Sequence, residues 1–175
     1  FKLNYGYDGN ITAQSWKDKA NNQDRAWDYA YDPSSRIKSA TYTPSGTYNV
    51  SGITYDKNGN IKTLNRAGID ALTYDYTNSG NLLLKVTDGT TGNTNVGDFR
   101  NGTNTGNDYE YYTDGSLKLD RNKTIKTIEY DPFHKKVKYV EFDDGKWNKF
   151  EYAGNGFLIK RQNSDGEYWD YTANI

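Results

Sequence analysis

Ile53-Thr54-Tyr55-Asp56-Lys57-Asn58-Gly59-Asn60-Ile61 decides how this chain folds. Asp56 can accept a backbone N–H two residues on, Gly59 tolerates positive φ, and Asn58-Gly59 is a dipeptide favoured where two antiparallel strands are joined tightly. A strand running into tyrosine, then turn formers, then an aliphatic residue make a β-hairpin. Copies lie on both sides of it. Tyr7-Asp8-Gly9-Asn10-Ile11 and Tyr31-Asp32-Pro33-Ser34-Ser35-Arg36-Ile37 precede it. Tyr76-Thr77-Asn78-Ser79-Gly80-Asn81-Leu82, Tyr112-Thr113-Asp114-Gly115-Ser116-Leu117, Tyr130-Asp131-Pro132-Phe133-His134-Lys135-Lys136-Val137 and Tyr152-Ala153-Gly154-Asn155-Gly156-Phe157-Leu158 follow it. The seven tyrosines stand 24, 24, 21, 36, 18 and 22 residues apart, the range in which one supersecondary unit is stacked into an array. Such a chain extends a surface instead of framing one site.

The flanks alternate as strands should. Trp27, Tyr29 and Tyr31 fall on one face, as do Leu72, Tyr74 and Tyr76, Phe150 and Tyr152, and Trp169 and Tyr171. Repeated tyrosines are therefore expected to meet across strands, each aromatic pair adding about 0.2–1 kcal/mol. Pro33 and Pro132 preset φ at the turn corner, and Gly80, Gly115 and Gly156 take the place of Gly59. The best helical candidate, Ser15 to Tyr31, carries a polar run with little apolar face, which makes it a hairpin with a long tip.

Seventeen Tyr and seventeen Gly accompany 34% hydrophobic residues and a mean hydropathy of -1.04, so tyrosine rings and aliphatic stems must supply much of the interior. Dense aromatics and a net charge of -1 oppose disorder. The length of 175 residues fits one domain. With no cysteine, disulfides and thiolate metal sites are excluded. No apolar run approaches the ~20 residues of a membrane span. The chain has no methionine and no leader-like start, and it reads as a piece of something longer. A Gly/Asn/Thr-rich stretch near 87–107 interrupts the period at its widest spacing and reads as a surface loop or insertion.

These repeats resemble the RHS/YD-repeat family, in particular the repeat region of the large secreted RHS proteins of Bacteroidetes. The likeness also rests on Gly9-Asn10-Ile11-Thr12-Ala13-Gln14-Ser15-Trp16 and Gly102-Thr103-Asn104-Thr105-Gly106-Asn107-Asp108-Tyr109, and it runs from Tyr5 to Tyr171. The resemblance implies an all-β fold of repeated antiparallel hairpins over residues 1–175, one segment of a long twisted sheet that spirals into a hollow shell. In bacterial members the shell commonly encloses a C-terminal toxin. Tyr7 to Ile11 and Tyr112 to Leu117 are shorter than the family's Y-x-x-x-G-x-[LI] unit, and Tyr76, Tyr112 and Tyr152 lack the following Asp. Nothing in the chain resembles the family's shell-closing core with its aspartate-dependent self-cleavage, so that activity is not carried over.

Chemistry-bearing residues have simpler roles. His134, the single histidine, sits in a turn without a nucleophile placed by spacing and reads as a solvated turn residue. Asp143-Asp144 precedes a glycine as turn residues do, and Asp108 with Glu110 alternates along a strand, which leaves glycosidase chemistry unsupported. Asp56, Asn58 and Asn60 have the spacing of a calcium loop, but the glycine is misplaced and Ala67 stands where a glutamate is needed. Residues 117–161 hold eleven Lys or Arg against seven acids, the rest eleven against sixteen. His134-Lys135-Lys136-Val137-Lys138 nonetheless alternates as a strand with one wet face, and the pI near 5.9 argues against nucleic acid.

Trp16, Trp27, Trp147 and Trp169 raise a second class of function, glycan binding on aromatic platforms. Trp27 and Trp169 alternate with tyrosines as core residues do, so Trp16 and Trp147 are the candidate glycan or partner contacts. The expectation is a non-enzymatic wall of a secreted or cell-surface bacterial protein that shields or presents a C-terminal effector, with no cofactor. Its partners would be the remainder of the shell or neighbouring chains, joined through unpaired strand edges that leave an isolated segment prone to self-association. The alternative is a surface adhesin or glycan-binding module.

Overall fold

The computed structural model describes residues 1–77, 80–90 and 99–171. Asn78 and Ser79 of the fourth repeat and positions 91–98 of the expected insertion lie outside the described residues. The chain forms two compact units, Phe1–Arg100 and Asn101–Ile175, each built on one antiparallel sheet.

The first sheet runs in chain order through β1 (Lys2–Tyr5), β2 (Ile11–Asp18), β3 (Gln23–Tyr31), β4 (Ile37–Thr43), β5 (Val50–Tyr55), β6 (Ile61–Arg66), β7 (Asp70–Tyr76) and β8 (Leu83–Asp88). The second holds β9 (Tyr109–Tyr111), β10 (Leu117–Asp120), β11 (Ile125–Tyr130), β12 (Val137–Phe142), β13 (Trp147–Tyr152), β14 (Leu158–Asn163) and β15 (Tyr168–Asp170), again as neighbours in sequence order. Both are meanders of hairpins, the all-β architecture that the repeats announce. Ser15 to Tyr31 is a hairpin, with β2 and β3 joined through residues 19–22. Because strands alternate in direction, every tyrosine turn in a sheet falls at one end and every other turn at the opposite end.

The turn is one residue longer than the tight dipeptide connection expected at Asn58-Gly59. The Gly59 N–H donates to the Asp56 carbonyl at 3.2 Å, the Asp56 N–H donates to the Asn60 carbonyl at 2.9 Å, and Gly59 sits at φ 86. That is a three-residue loop with a bulged left-handed glycine at its end. Ser35, at φ 58, holds the same place in the second repeat. Gly80 lacks a positive φ, and a Cβ there would meet the Thr77 hydroxyl, so close approach and not backbone twist requires the glycine.

Alternation separates the faces of the first sheet. Trp27 pairs with Tyr42, Tyr29 with Ala40, Leu64 with Leu72 and Tyr74 with Val86, forming the apolar face. The opposite face carries Asp28 against Thr41 and a row of Thr54, Thr63, Thr73 and Thr87. The buried apolar side chains of the first sheet are Ala40, Tyr42, Ile53, Leu72 and Val86, whereas Ile128 is the one such residue in the second sheet among the described residues. No helix among the described residues is long and apolar enough to cross a membrane.

Candidate functional site

The repeats fix the register of both sheets. Tyr5 pairs with Ile11, Tyr31 with Ile37, Tyr55 with Ile61, Tyr76 with Leu83, Tyr111 with Leu117, Tyr130 with Val137 and Tyr152 with Leu158. This corrects the phase of two repeats. The strand-end tyrosines are Tyr5 and Tyr111, not Tyr7 and Tyr112, so Tyr5 to Ile11 and Tyr111 to Leu117 have the full Y-x-x-x-G-x-[LI] spacing. Tyr7 is a turn corner and fully exposed at 115%. Tyr112 opens its turn, its N–H donating to the Ser116 carbonyl at 2.9 Å. In the fourth repeat Leu83, one residue past Leu82, answers Tyr76.

The strand-end tyrosines stitch one repeat to the one before. Tyr31 donates its hydroxyl to the Ile11 carbonyl at 2.8 Å, Tyr55 to Ile37 at 2.7 Å and Tyr76 to Ile61 at 3.0 Å. In the second sheet Tyr130 donates to Leu117 at 2.9 Å and Tyr152 to Val137 at 2.7 Å. The reason lies in the ladder. Between β2 and β3 the last pair towards this end is Ala13 with Asp28, and between β6 and β7 it is Thr63 with Thr73. The carbonyls of Ile11 and Ile61 lie beyond those pairs and need another donor. A ladder of stacked tyrosine rings was expected. Tyr112 and Tyr130 do meet edge to face at 6.4 Å, but the recurring contact is hydroxyl to backbone. Burial pushes the Tyr55, Tyr130 and Tyr152 hydroxyls above the ordinary phenol value.

The turns bond to each other along the same edge. Arg36 donates to the Asp56 carbonyl at 3.4 Å and lies over the Tyr55 ring at 4.4 Å. Asn60 donates to the Asn81 side chain at 3.0 Å. Lys136 reaches the Gly156 carbonyl at 2.5 Å and covers the Tyr152 ring at 5.4 Å. Asp32, Asp56 and Asp131 organise the turns beneath. The side-chain bond from Arg36 holds Asp32 low, the Asn60 side chain does so for Asp56, and the His134 backbone N–H does so for Asp131. The calcium-like spacing at Asp56 thus serves the turn's own N–H groups, with Asn58 and Asn60 N–H donating to it at 2.8 and 2.9 Å.

His134 is not the solvated turn residue expected. Half-buried, it places Nδ1 2.8 Å from Asp131 Oδ1 and Nε2 3.1 Å from the Gly154 carbonyl, clasping one turn to the next. The lysines beside it are also engaged: Lys135 with Asp114 at 3.5 Å and Lys138 with Glu129 at 3.2 Å. Asp143-Asp144-Gly145 is a turn, its Gly145 N–H donating to Phe142 at 3.0 Å.

Four buried carboxylates gather at the opposite ends of the sheets, and of these only Asp108, read beside Glu110, stood out in the sequence. Asp70 pairs with Arg66 and accepts the Phe99 N–H at 2.8 Å, while Asp88 accepts the N–H groups of Ala71 and Thr90 at 2.8 and 2.9 Å. Burial pushes Asp88 up, but these bonds with the Thr90 hydroxyl outweigh it and leave its carboxyl low. Asp108 accepts from Asn104 and Asp120 from the Lys123 N–H. The described ends of the 87–107 stretch are therefore tied down by carboxylates whose polarity hides their burial in any hydropathy reading.

All four tryptophans are half-buried. Trp16 lies 6.4 Å and Trp27 5.1 Å from Tyr42, and exposed Tyr48 caps that ring at 5.4 Å. Trp147 stacks on Tyr139 at 6.3 Å in the second sheet. Neither Trp16 nor Trp147 stands free of its neighbours as the glycan reading required. A groove of about 620 Å³ lies on the second sheet between Glu129, Glu151, Lys138 and Lys149. Its glutamates are ion-paired at 3.2 Å and 3.4 Å, a charge-compensated strand surface. No group of three or more potential metal-ligating side chains comes together among the described residues. No family model matches the chain, and no curated protein matches it.

Proposed function

We propose that this chain is structural: part of the wall of an RHS/YD-type shell in a secreted or cell-surface bacterial protein, shielding or presenting a C-terminal effector or toxin. The observation that carries the reading is the tyrosine seam. One hydroxyl-to-carbonyl bond recurs from Tyr31 to Ile11, Tyr55 to Ile37, Tyr76 to Ile61, Tyr130 to Leu117 and Tyr152 to Val137. A contact repeated from one tyrosine hairpin to the next builds area, whereas a catalytic centre needs unlike groups converging on one point. The register shift beside Tyr5, Tyr31, Tyr55, Tyr76, Tyr130 and Tyr152 supplies regularly placed bulges, the device that curves a sheet. A cryo-EM map of the intact parent protein tests this. Sheet continuing around an enclosed mass supports the wall, and a free-standing sheet with no cargo overturns it.

A second reading, a glycan-binding or adhesin module, draws on the Trp16, Trp27, Tyr42 and Tyr48 cluster with Arg25 donating to the Tyr42 hydroxyl. Saccharide array binding that is abolished by Trp16→Ala would favour it over the wall.

A further inference from the structure

Arg161 differs from the other arginines held in the strands and turns. Arg25 pairs with Asp18, Arg36 with Asp32, Arg66 with Asp70 and Arg121 with Glu110. Arg161, in the middle of β14, makes no ion pair among the described residues, and its Nε is buried with no hydrogen-bond partner. Its neighbours are aromatic. Phe150 pairs with it on β13 and Trp169 on β15, so the three side chains form one row on one face, and the guanidinium lies 4.7 Å from the Trp169 ring centroid.

Two neighbouring carboxylates face the other way. Glu151 and Asp170 pair with Lys160, one residue along β14 and therefore on the opposite face, where Glu151 is bonded to Lys149 at 3.4 Å and Lys160 at 3.8 Å. On Arg161's own face the register continues through Asn148 and Val140 to Ile128. It offers apolar surface and amides, and the acid there, Glu167 opposite Asn163, is held by the Asn163 side-chain amide at 2.8 Å and makes no ion pair with Arg161 among the described residues.

We propose that this face of the second sheet docks an extended polypeptide segment in which a carboxylate is flanked by apolar side chains. The carboxylate meets Arg161, and the apolar side chains lie on Phe150 and Trp169. Charge complementarity selects this occupant. An apolar partner would cover the guanidinium with its donors unfilled, which is unfavourable, whereas a carboxylate matches the planar fork with two parallel bonds. A guanidinium already lying on indole keeps its orientation, so less freedom is lost when the acid arrives. The proposal concerns this face alone and does not rest on the wall reading.

The test uses the full chain and a capped hexapeptide of alternating glutamate and valine, with a glutamine–valine peptide as control. The Arg161 Nε–H resonance and tryptophan fluorescence report binding. The expected result is saturable binding that moves the Arg161 resonance and is about tenfold or more weaker for the glutamine peptide, the size of one charge-assisted interaction. Arg161→Met loses the same factor and Arg161→Lys falls between. Equal binding of both peptides, as backbone pairing at a strand edge would give, overturns the proposal, and so does no binding at millimolar peptide. The wild-type comparison decides even if Arg161→Met fails to fold.

Discussion

The two sheets use one seam and fill their faces differently. The first buries Tyr42 among Trp16, Trp27 and Tyr48 and adds Ile53, Leu72 and Val86. The second buries Ile128 and covers its strands with ion pairs such as Lys126 with Glu141 at 2.7 Å and Lys138 with Glu129 at 3.2 Å. The tyrosine hydroxyls bond in the same way in both. The repeat thus specifies the seam and leaves the face free to vary, which is what an extendable sheet needs when different stretches meet different surroundings.

The sharpest way to break that comparison is to remove a ring. Tyr42→Ala should destabilise the first sheet by about 3–5 kcal/mol, because three aromatic neighbours lose their common partner. Ile128→Ala should cost the second sheet about 2 kcal/mol, at the low end for a core truncation, since its surroundings are half-buried. Amide exchange across the strands of each sheet measures both, and equal losses would erase the contrast.

The seam itself should behave alike in the two sheets. Tyr55→Phe and Tyr130→Phe each remove one hydroxyl-to-carbonyl bond and should each cost about 1 kcal/mol in chemical denaturation. A large effect in one and none in the other would mean that the shared geometry does not carry shared energy.

Titration reaches the same elements from both sides. Asp32, Asp56 and Asp131 are held below the reference 3.8, so their stabilising effect is complete above that value and is lost as pH falls through the lowered ones. Tyr55, Tyr130 and Tyr152 are raised above 10.0, so their contribution to the seam is complete below pH 10.0 and is lost as pH rises through the higher values. Circular dichroism against pH should show a plateau between the two, and Tyr→Phe variants should blunt the alkaline limb alone. The smallest effect should come from Ser35→Gly. Relieving a left-handed serine at φ 58 should stabilise the first sheet by up to about 1 kcal/mol, read as a rise in Tm.

Much of this was legible in the residues. The turn formers after Tyr31, Tyr55 and Tyr130 announce hairpins because Asp, Pro and Gly each solve a local backbone problem. The phase at Tyr7 and Tyr112 was misread because Tyr7-Asp8 mimics Tyr31-Asp32, and two tyrosines adjoin at Tyr111-Tyr112. The glycine four residues after the strand-end tyrosine was the better marker: Gly9 follows Tyr5, and Gly115 follows Tyr111. His134 looked solvated because the Gly154 carbonyl it reaches lies 20 residues away, beyond any local pattern.

By itself the sequence determined the seven tyrosine hairpins and the alternation that gives each strand two faces, because turn chemistry and side-chain period are properties of a few adjacent residues. Only the tertiary structure decided where the tyrosine hydroxyls go, which carboxylates are buried and which strand arginine lies on aromatic rings with no ion pair among the described residues. Those outcomes depend on where one ladder stops and the next strand begins, a long-range register set when separate hairpins pair.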